Sequence, residues 1–600
     1  MKVDKLTVER VFDRTERLEA PLFQRPYVWV RDKNWEPLWE AIQTIADKQL
    51  KGLPARPHFL GTIVLEQMPT PTAAMHVRQI IDGQQRLTTL QLIIAAARDL
   101  CTKTNEELYA QTFKKLLIND FPLSNDPADI FKVWPTNADR EDFRNVIKAE
   151  SAALVRKMDH AHPDDNWLIP DAYLYFYNTF DEWLGSFGTD EFKTKLKTLY
   201  ATIKDYLLLV VIDLEQDDDA QEIFETLNAL GTPLLPADLV KNYLFRVAVF
   251  QGEKPNQLYQ QYWGKFDKER NYWRKEIGQG RFKRPRLDLF LFHYLTLMRG
   301  EEIIISQLFP EYRSFVEQNN GHNAIKHMEL FHSYANVYQS FDQFPEKSRE
   351  GIFFYRLDQL DTSTVLPLLL EVIKRYNTPD RKGELLETIT DLESFLVRRV
   401  ICGLTPKNYN KLFVELIKEL KKNDDFSASA IRQFLLNQTS DIGRWPNDEE
   451  FKKAWLEIQF YKQLKRAKGR MILEALETAL YTGKTEEIQI ERRLTIEHLL
   501  PKEWEPHWPL PCVYDIIEAN KMKERRNHLL HTIGNLTLLT KELNPSVSNG
   551  PWERKRKEIL KHSALNLNRA LPEVWDEETI QKRAQDLFEL ALKIWPRPNN

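Results

Sequence analysis

The chain has 600 residues, 42% hydrophobic and 11% aromatic, which excludes a disordered or low-complexity protein. A formal net charge of −4 excludes a uniformly basic nucleic-acid coat, so any phosphate-binding surface must be a local patch. At roughly 150 residues per domain, several domains are expected. Three widely spaced cysteines, Cys101, Cys402 and Cys512, build neither a disulfide framework nor a zinc site. Residues 1–6 lack the apolar stretch of a signal peptide, and the longest apolar run, 206–212, is too short to span a bilayer. The expectation is a cytoplasmic protein with no membrane partner.

In chain order, residues 1–245 mix strands and helices. The β-branched runs His58–Leu65, Val77–Ile81 and Tyr206–Leu214 predict strands, and Leu87–Leu100 predicts a helix that is apolar over most of its surface. Between the second strand and that helix stands Asp82-Gly83-Gln84-Gln85-Arg86. Asp82-Gly83 is a turn signal, and Asp82 with Gln85 fits a capping box. Backbone N–H groups at such a helix start, with the Arg86 cation, suit a phosphate. Upstream, Phe23-Gln24-Arg25-Pro26-Tyr27-Val28-Trp29 combines aromatic faces that stack bases with an arginine that binds phosphate or guanine. Residues 224–240 end one helix at Gly231 and begin another near Pro236, with Asn228 and Asp238 close to the turn.

Residues 246–445 read as almost wholly helical. Within them, residues 265–286 interleave nine Lys/Arg with Tyr272, Trp273 and Phe282, a candidate phosphate track. The third region, 446–600, starts at the turn Gly443–Asn447. Its Thr482-Gly-Lys-Thr485 lacks the glycines of a phosphate loop and reads as a helix end.

The last region carries the chemistry. Glu497-His498 ends a β-type run, Gly534-Asn535-Leu536 follows, and Asn544 comes nine residues after Asn535. That order is the pattern of an HNH (ββα-metal) nuclease. His498 is the expected general base toward water. Glu497 and Asn544 are the expected oxygen ligands of Mg²⁺ (or Mn²⁺). Asn535 is expected to hold the finger together and orient the His498 ring, and Lys555 to approach the transition-state phosphate. His528 and His531 are weaker candidates as ligands. Residues 521–562 hold ten Lys/Arg against four Asp/Glu, which supports a DNA contact.

The ordered set FQRPYVW, FLGTIVLEQ, IDGQQRLTTL and IFETLNALGTPLLPADLVKNYLF resembles the N-terminal domain of the GmrSD family of type IV, modification-dependent restriction enzymes. The resemblance implies a multidomain α+β protein. Residues 1–245 would be a ParB/sulfiredoxin-like α/β domain for nucleotide binding and DNA sensing, 246–445 a helical connector, and 446–600 the HNH endonuclease. It further implies nucleotide binding (GTP or another NTP) by Asp82, Gly83, Gln84, Gln85 and Arg86, and DNA sensing by Gln24, Arg25, Tyr27 and Trp29. The implied partner is double-stranded DNA carrying hydroxymethylcytosine, its glucosylated form or phosphorothioate. The oligomeric state is left open. The rival expectation is an NTPase or DNA-binding defence protein whose HNH domain is a weak nickase or a non-catalytic binding module.

Overall fold

A computed structural model describes residues 1–21, 24–68, 70, 74–120, 126–158, 167–215, 235–279, 282–318, 323–481, 494–510, 515–543 and 550–598. Cys512, Asn544, Phe23, Asn228 and the 482–485 segment lie outside them. Contact density divides the chain into two compact units. One comprises Met1–Ile277, Arg284–Leu289 and Gln307–His332. The other comprises Gly278–Lys283, Phe290–Ser306 and Ser333–Asn600.

The first unit is built on a mixed six-stranded sheet. Its strands are β1 (Lys2–Thr7), β2 (Glu16–Glu19), β3 (His58–Gln67), β4 (His76–Asp82), β5 (Val133–Trp134) and β6 (Leu207–Leu214). The spatial order is β1-β6-β3-β4-β2-β5. The central pair β3–β6 is parallel, while β3–β4 and β1–β6 are antiparallel. Strand β6 alternates buried and half-buried residues, because one sheet face meets the core and the other carries only a small cluster around Val64 and Leu214. The core face is covered by the helix Gln84–Lys103, whose residues 87–101 are all buried. Even Arg98 and Asp99 are enclosed: they pair at 2.6 Å, and the Tyr173 hydroxyl donates to Asp99 at 2.6 Å. Burial all round explains why this helix reads as apolar on most of its circumference.

The second unit is mainly helical. Two short strands that the division splits between the two units, β7 (Glu276–Gln279) and β8 (Phe282–Pro285), form a separate sheet, an exception to the helical reading of residues 246–445. Near the C-terminus, β9 (Leu494–His498) pairs antiparallel with β10 (Leu536–Thr540), and the helix Trp552–His562 follows. This is a strand-strand-helix finger. The long stretch between its strands contains the helix Ile516–Leu529, held inward by Arg526, which donates to Glu577 and to the Trp508 carbonyl, each at 2.6 Å. Trp504, Trp508, Leu529, Trp552 and Trp575 share one core cluster, so the insertion is part of the finger's packing. No described helix is long and apolar enough to cross a membrane.

Candidate functional site

At the N-terminal motif, Gly83 sits at φ +97°, a conformation that favours glycine, and any Cβ there would lie 2.5 Å from Ile63 Cγ2. Gly83 itself is the helix N-cap and supplies no side chain. The expected capping box is therefore not formed: Asp82 remains in β4, and Gln85 Oε1 accepts instead from the Val28 N–H at 2.9 Å. Gln85 Nε2 donates to Pro26 O at 3.1 Å, and Gln84 Nε2 to Arg25 O at 2.7 Å. In return Gln24 Nε2 donates to Ile80 O and Ile81 O, at 2.5 and 3.0 Å. Three glutamine amides thus stitch residues 24–28 to residues 80–85 through backbone atoms.

Tyr27 is 2% exposed. Its hydroxyl lies 2.7 Å from Thr89 Oγ1 and accepts from Trp35 Nε1 at 3.0 Å, and burial holds the phenol far above its usual pKa. An enclosed ring cannot stack on a base, so Tyr27 is a core residue. Arg25 is largely buried, which lowers its pKa despite Asp238 and Asp82 nearby. Arg86 donates to Thr62 O at 2.7 Å and stands 3.7 Å from Asp82. It passes beside Gly61, where a Cβ would meet its guanidinium at 3.1 Å. Trp29 and Arg86 line one cavity of about 230 Å³, together with Lys33, Asn34, His58 and Phe59.

Part of the basic stretch 265–286 is engaged internally. Trp273 is fully buried, Arg274 pairs with Asp238 at 2.7 Å, and Arg270 approaches Asp139 at 3.7 Å. Arg270 and Arg274 thus face buried carboxylates, while Lys268, Lys275 and Lys283 are exposed.

In the finger, Glu497 and His498 are consecutive on β9 and face opposite sides. Glu497 Oε1 meets Lys555 Nζ at 2.5 Å, and the same Nζ donates to His498 O at 2.6 Å. Lys555 is 1% exposed, so it braces β9 to the following helix from within. Burial lowers its pKa and Glu497 opposes that. Asn535 is fully buried: Oδ1 accepts from Leu500 N–H at 2.7 Å and Trp575 Nε1 at 3.0 Å, while Nδ2 donates to Leu500 O and Leu530 O, both at 2.9 Å. It holds the finger together, but its amide contacts loop backbone and Trp575, not the His498 ring.

What meets that ring is His531. His498 Nε2 lies 3.2 Å from His531 Nδ1, and the Tyr461 ring packs edge-on 4.2 Å away. Sequence profiles of two domains account for most of the chain. The GmrSD restriction endonuclease N-terminal domain matches residues 8–245, and the GmrSD restriction endonucleases C-terminal domain matches 445–590. The chain belongs to the GmrSD restriction endonuclease family. No curated protein matches it.

The GmrSD C-terminal domain of this chain therefore contains the His498–His531 pair. Burial and nearby cations push His498 down to about 2 and His531 down to about 4, so both rings are neutral at physiological pH. Among the described residues no three His, Cys, Asp or Glu side chains cluster as a metal site. Sequence reasoning placed His531 only among the weaker candidate metal ligands, not as a partner of His498. Its position four residues ahead of Asn535, at the same end of the finger, was the available signal.

Proposed function

We propose that this GmrSD restriction endonuclease cuts modified foreign DNA by metal-dependent phosphodiester hydrolysis in an HNH-type finger. The GmrSD N-terminal domain would gate cleavage through nucleotide. The observation that carries the reading is the placement of His498 at the end of β9, in contact with His531, in a strand-strand-helix finger braced by Asn535.

The chemistry follows from those side chains. A neutral imidazole accepts a proton from water as water attacks the phosphorus. One ring of the pair donates across the 3.2 Å contact and the other accepts, which fixes the His498 orientation. Mg²⁺ (or Mn²⁺) takes one or two carboxylates and keeps several waters, so Glu497 can serve it without a dense acidic cluster. Glu497 and Asn544 would hold the ion. When bound it neutralises charge on the scissile phosphate and the leaving oxygen.

In the N-terminal unit, the Trp29 and Phe59 rings suit a base, and Arg86 and Lys33 suit phosphate. The cavity is below the ~300–1,000 Å³ of pockets that engulf a whole drug-sized ligand, so it would take part of a nucleotide.

The test incubates the purified protein with Mg²⁺, with and without GTP or ATP, on unmodified, glucosylated-hydroxymethylcytosine and phosphorothioate duplexes. Cleavage of one modified DNA, abolished by His498→Ala, is expected. Nucleotide hydrolysis with no cleavage of any DNA would overturn the nuclease reading.

A further inference from the structure

The finger accounts for water activation but not for holding the strand, because Lys555, its best-placed cation, is enclosed and neutralised by Glu497. Other cations lie near His498 on residues that precede β9 or follow it. Tyr461 lies in the short helix Phe460–Gln463, and its backbone N–H donates to His531 O at 3.1 Å. Its ring is stacked on the His531 ring at 6.0 Å and packs edge-on against His498. Tyr461 is thereby fixed to both histidines.

On this one ring two cations converge. The Arg466 guanidinium carbon is 3.3 Å from the ring centroid and Lys502 Nζ is 4.4 Å from it. Arg466 also donates to Tyr461 O at 2.5 Å, and Lys502 approaches the Tyr461 hydroxyl at 3.3 Å. Lys462 follows Tyr461 directly and is exposed, as are Arg466 and Lys502. Lys462, Lys502 and Arg466 all depress the His531 pKa, in keeping with the contacts of Arg466 and Lys502 on the Tyr461 ring. The neighbouring cations differ: Lys465 pairs with Asp361 at 3.1 Å and Arg470 with Glu474 at 3.4 Å. Lys462, Arg466 and Lys502 form no ion pair with any described residue. Holding like charges against one tyrosine is unfavourable until an anion comes between them. A phosphodiester is an anion of the right size beside a water-activating histidine.

We propose that Lys462, Arg466 and Lys502, organised by Tyr461, form the wall that grips the backbone phosphates of the strand being cut. This rests on the nuclease reading above and adds residues outside the strand-strand-helix finger. Arg466 and Lys502 contact phosphates, and Tyr461 positions them relative to His498.

The experiment measures equilibrium binding of a labelled linear duplex, modified and unmodified, by the full-length His498→Ala protein at a series of salt concentrations. Each phosphate contact contributes about 0.9 to the slope of log affinity against log salt. Lys502→Gln and Arg466→Gln are each expected to flatten that slope by about one contact and to weaken binding several-fold. Lys502→Arg is expected to restore the slope. Exposed Lys593, remote in sequence at the end of the last helix, serves as control, and Lys593→Gln is expected to change nothing. In the otherwise native protein, Lys502→Gln is expected to reduce cleavage at least tenfold at physiological salt, with partial recovery at low salt. An unchanged slope and affinity in both Gln variants would overturn the wall. Persistent cleavage by His498→Ala would instead overturn the catalytic reading, while the binding slopes would still decide the wall.

Discussion

Asn535 uses every hydrogen-bonding position of its amide to hold the chain where it leaves β9. Two donors reach Leu500 O and Leu530 O, and one oxygen accepts from Leu500 N–H and the Trp575 indole. Replacement by alanine strands four buried polar groups, and a buried group left unpaired costs about 1–3 kcal/mol. Asn535→Asp keeps the accepting oxygen but turns the donor toward two carbonyls as a second acceptor. Both variants are therefore expected to lose roughly 3 kcal/mol or more in urea unfolding, with Asp no better than Ala. If Asp were fully active and stable, the amide would matter only as an acceptor. Gly534 makes the adjoining contact: a Cβ there would fall on the Ile580 carbonyl, so the chain can pass beneath the helix Glu577–Ile594 only without a side chain. Arg583 on that helix donates to Gly534 O and Leu536 O, both at 2.8 Å.

At the scale of elements, the junction of β4 with the helix Gln84–Lys103 depends on Gly83. Alanine there would hold a β-carbon at positive φ and drive it into Ile63. A strained backbone of this kind costs of order 1–3 kcal/mol before the clash is added. Gly83→Ala is expected to lower the urea midpoint and, under the nucleotide reading proposed above, to weaken nucleotide binding with it, since the same junction positions Gln84, Gln85 and Arg86. A stable variant with native binding would show that the helix start tolerates displacement. The elements here were legible because their apolar runs are continuous: His58–Leu65 and Tyr206–Leu214 became β3 and β6 with shifts of at most two residues. Side-chain roles were less legible. Tyr27 sits in a motif rich in ligand-binding residue types, yet its hydroxyl is completed by Thr89, 62 residues away. His498 and His531 are 33 residues apart, and only the β9–β10 pairing with the intervening helix brings their rings together. Periodicity reports which face is buried, not which distant partner fills it.

Across the whole molecule, the two units contain buried titrating groups of opposite sign. His293, in the second unit, is pushed down to about 3 by burial alone. Its folded value lies below the ordinary 6.5, so its contribution is fully present above pH 6.5 and is lost as pH falls toward 3. Asp288, in the first unit, is pushed up to about 6, chiefly by burial and also by Asp238. Its folded value lies above 3.8, so its contribution is present below pH 3.8 and is lost as pH rises toward 6. Each proton is worth about 1.4 kcal/mol per pH unit at most. In urea unfolding between pH 4.5 and 6, His293→Phe is expected to remove a rising slope and Asp288→Asn a falling one. Identical slopes in wild type and both variants would contradict these assignments.

The glutamine stitching at the N-terminal motif has a consequence for engineering. Residues 24–28 and 80–85 are far apart in sequence but are held by one another's main chain through Gln24, Gln84 and Gln85. They are one interchangeable part supplied by two stretches of gene. A chimera that imports the first stretch from a relative without the second would pair an alien loop with mismatched amides. Transplanting either stretch into this scaffold thus means moving both at once, as a matched cassette.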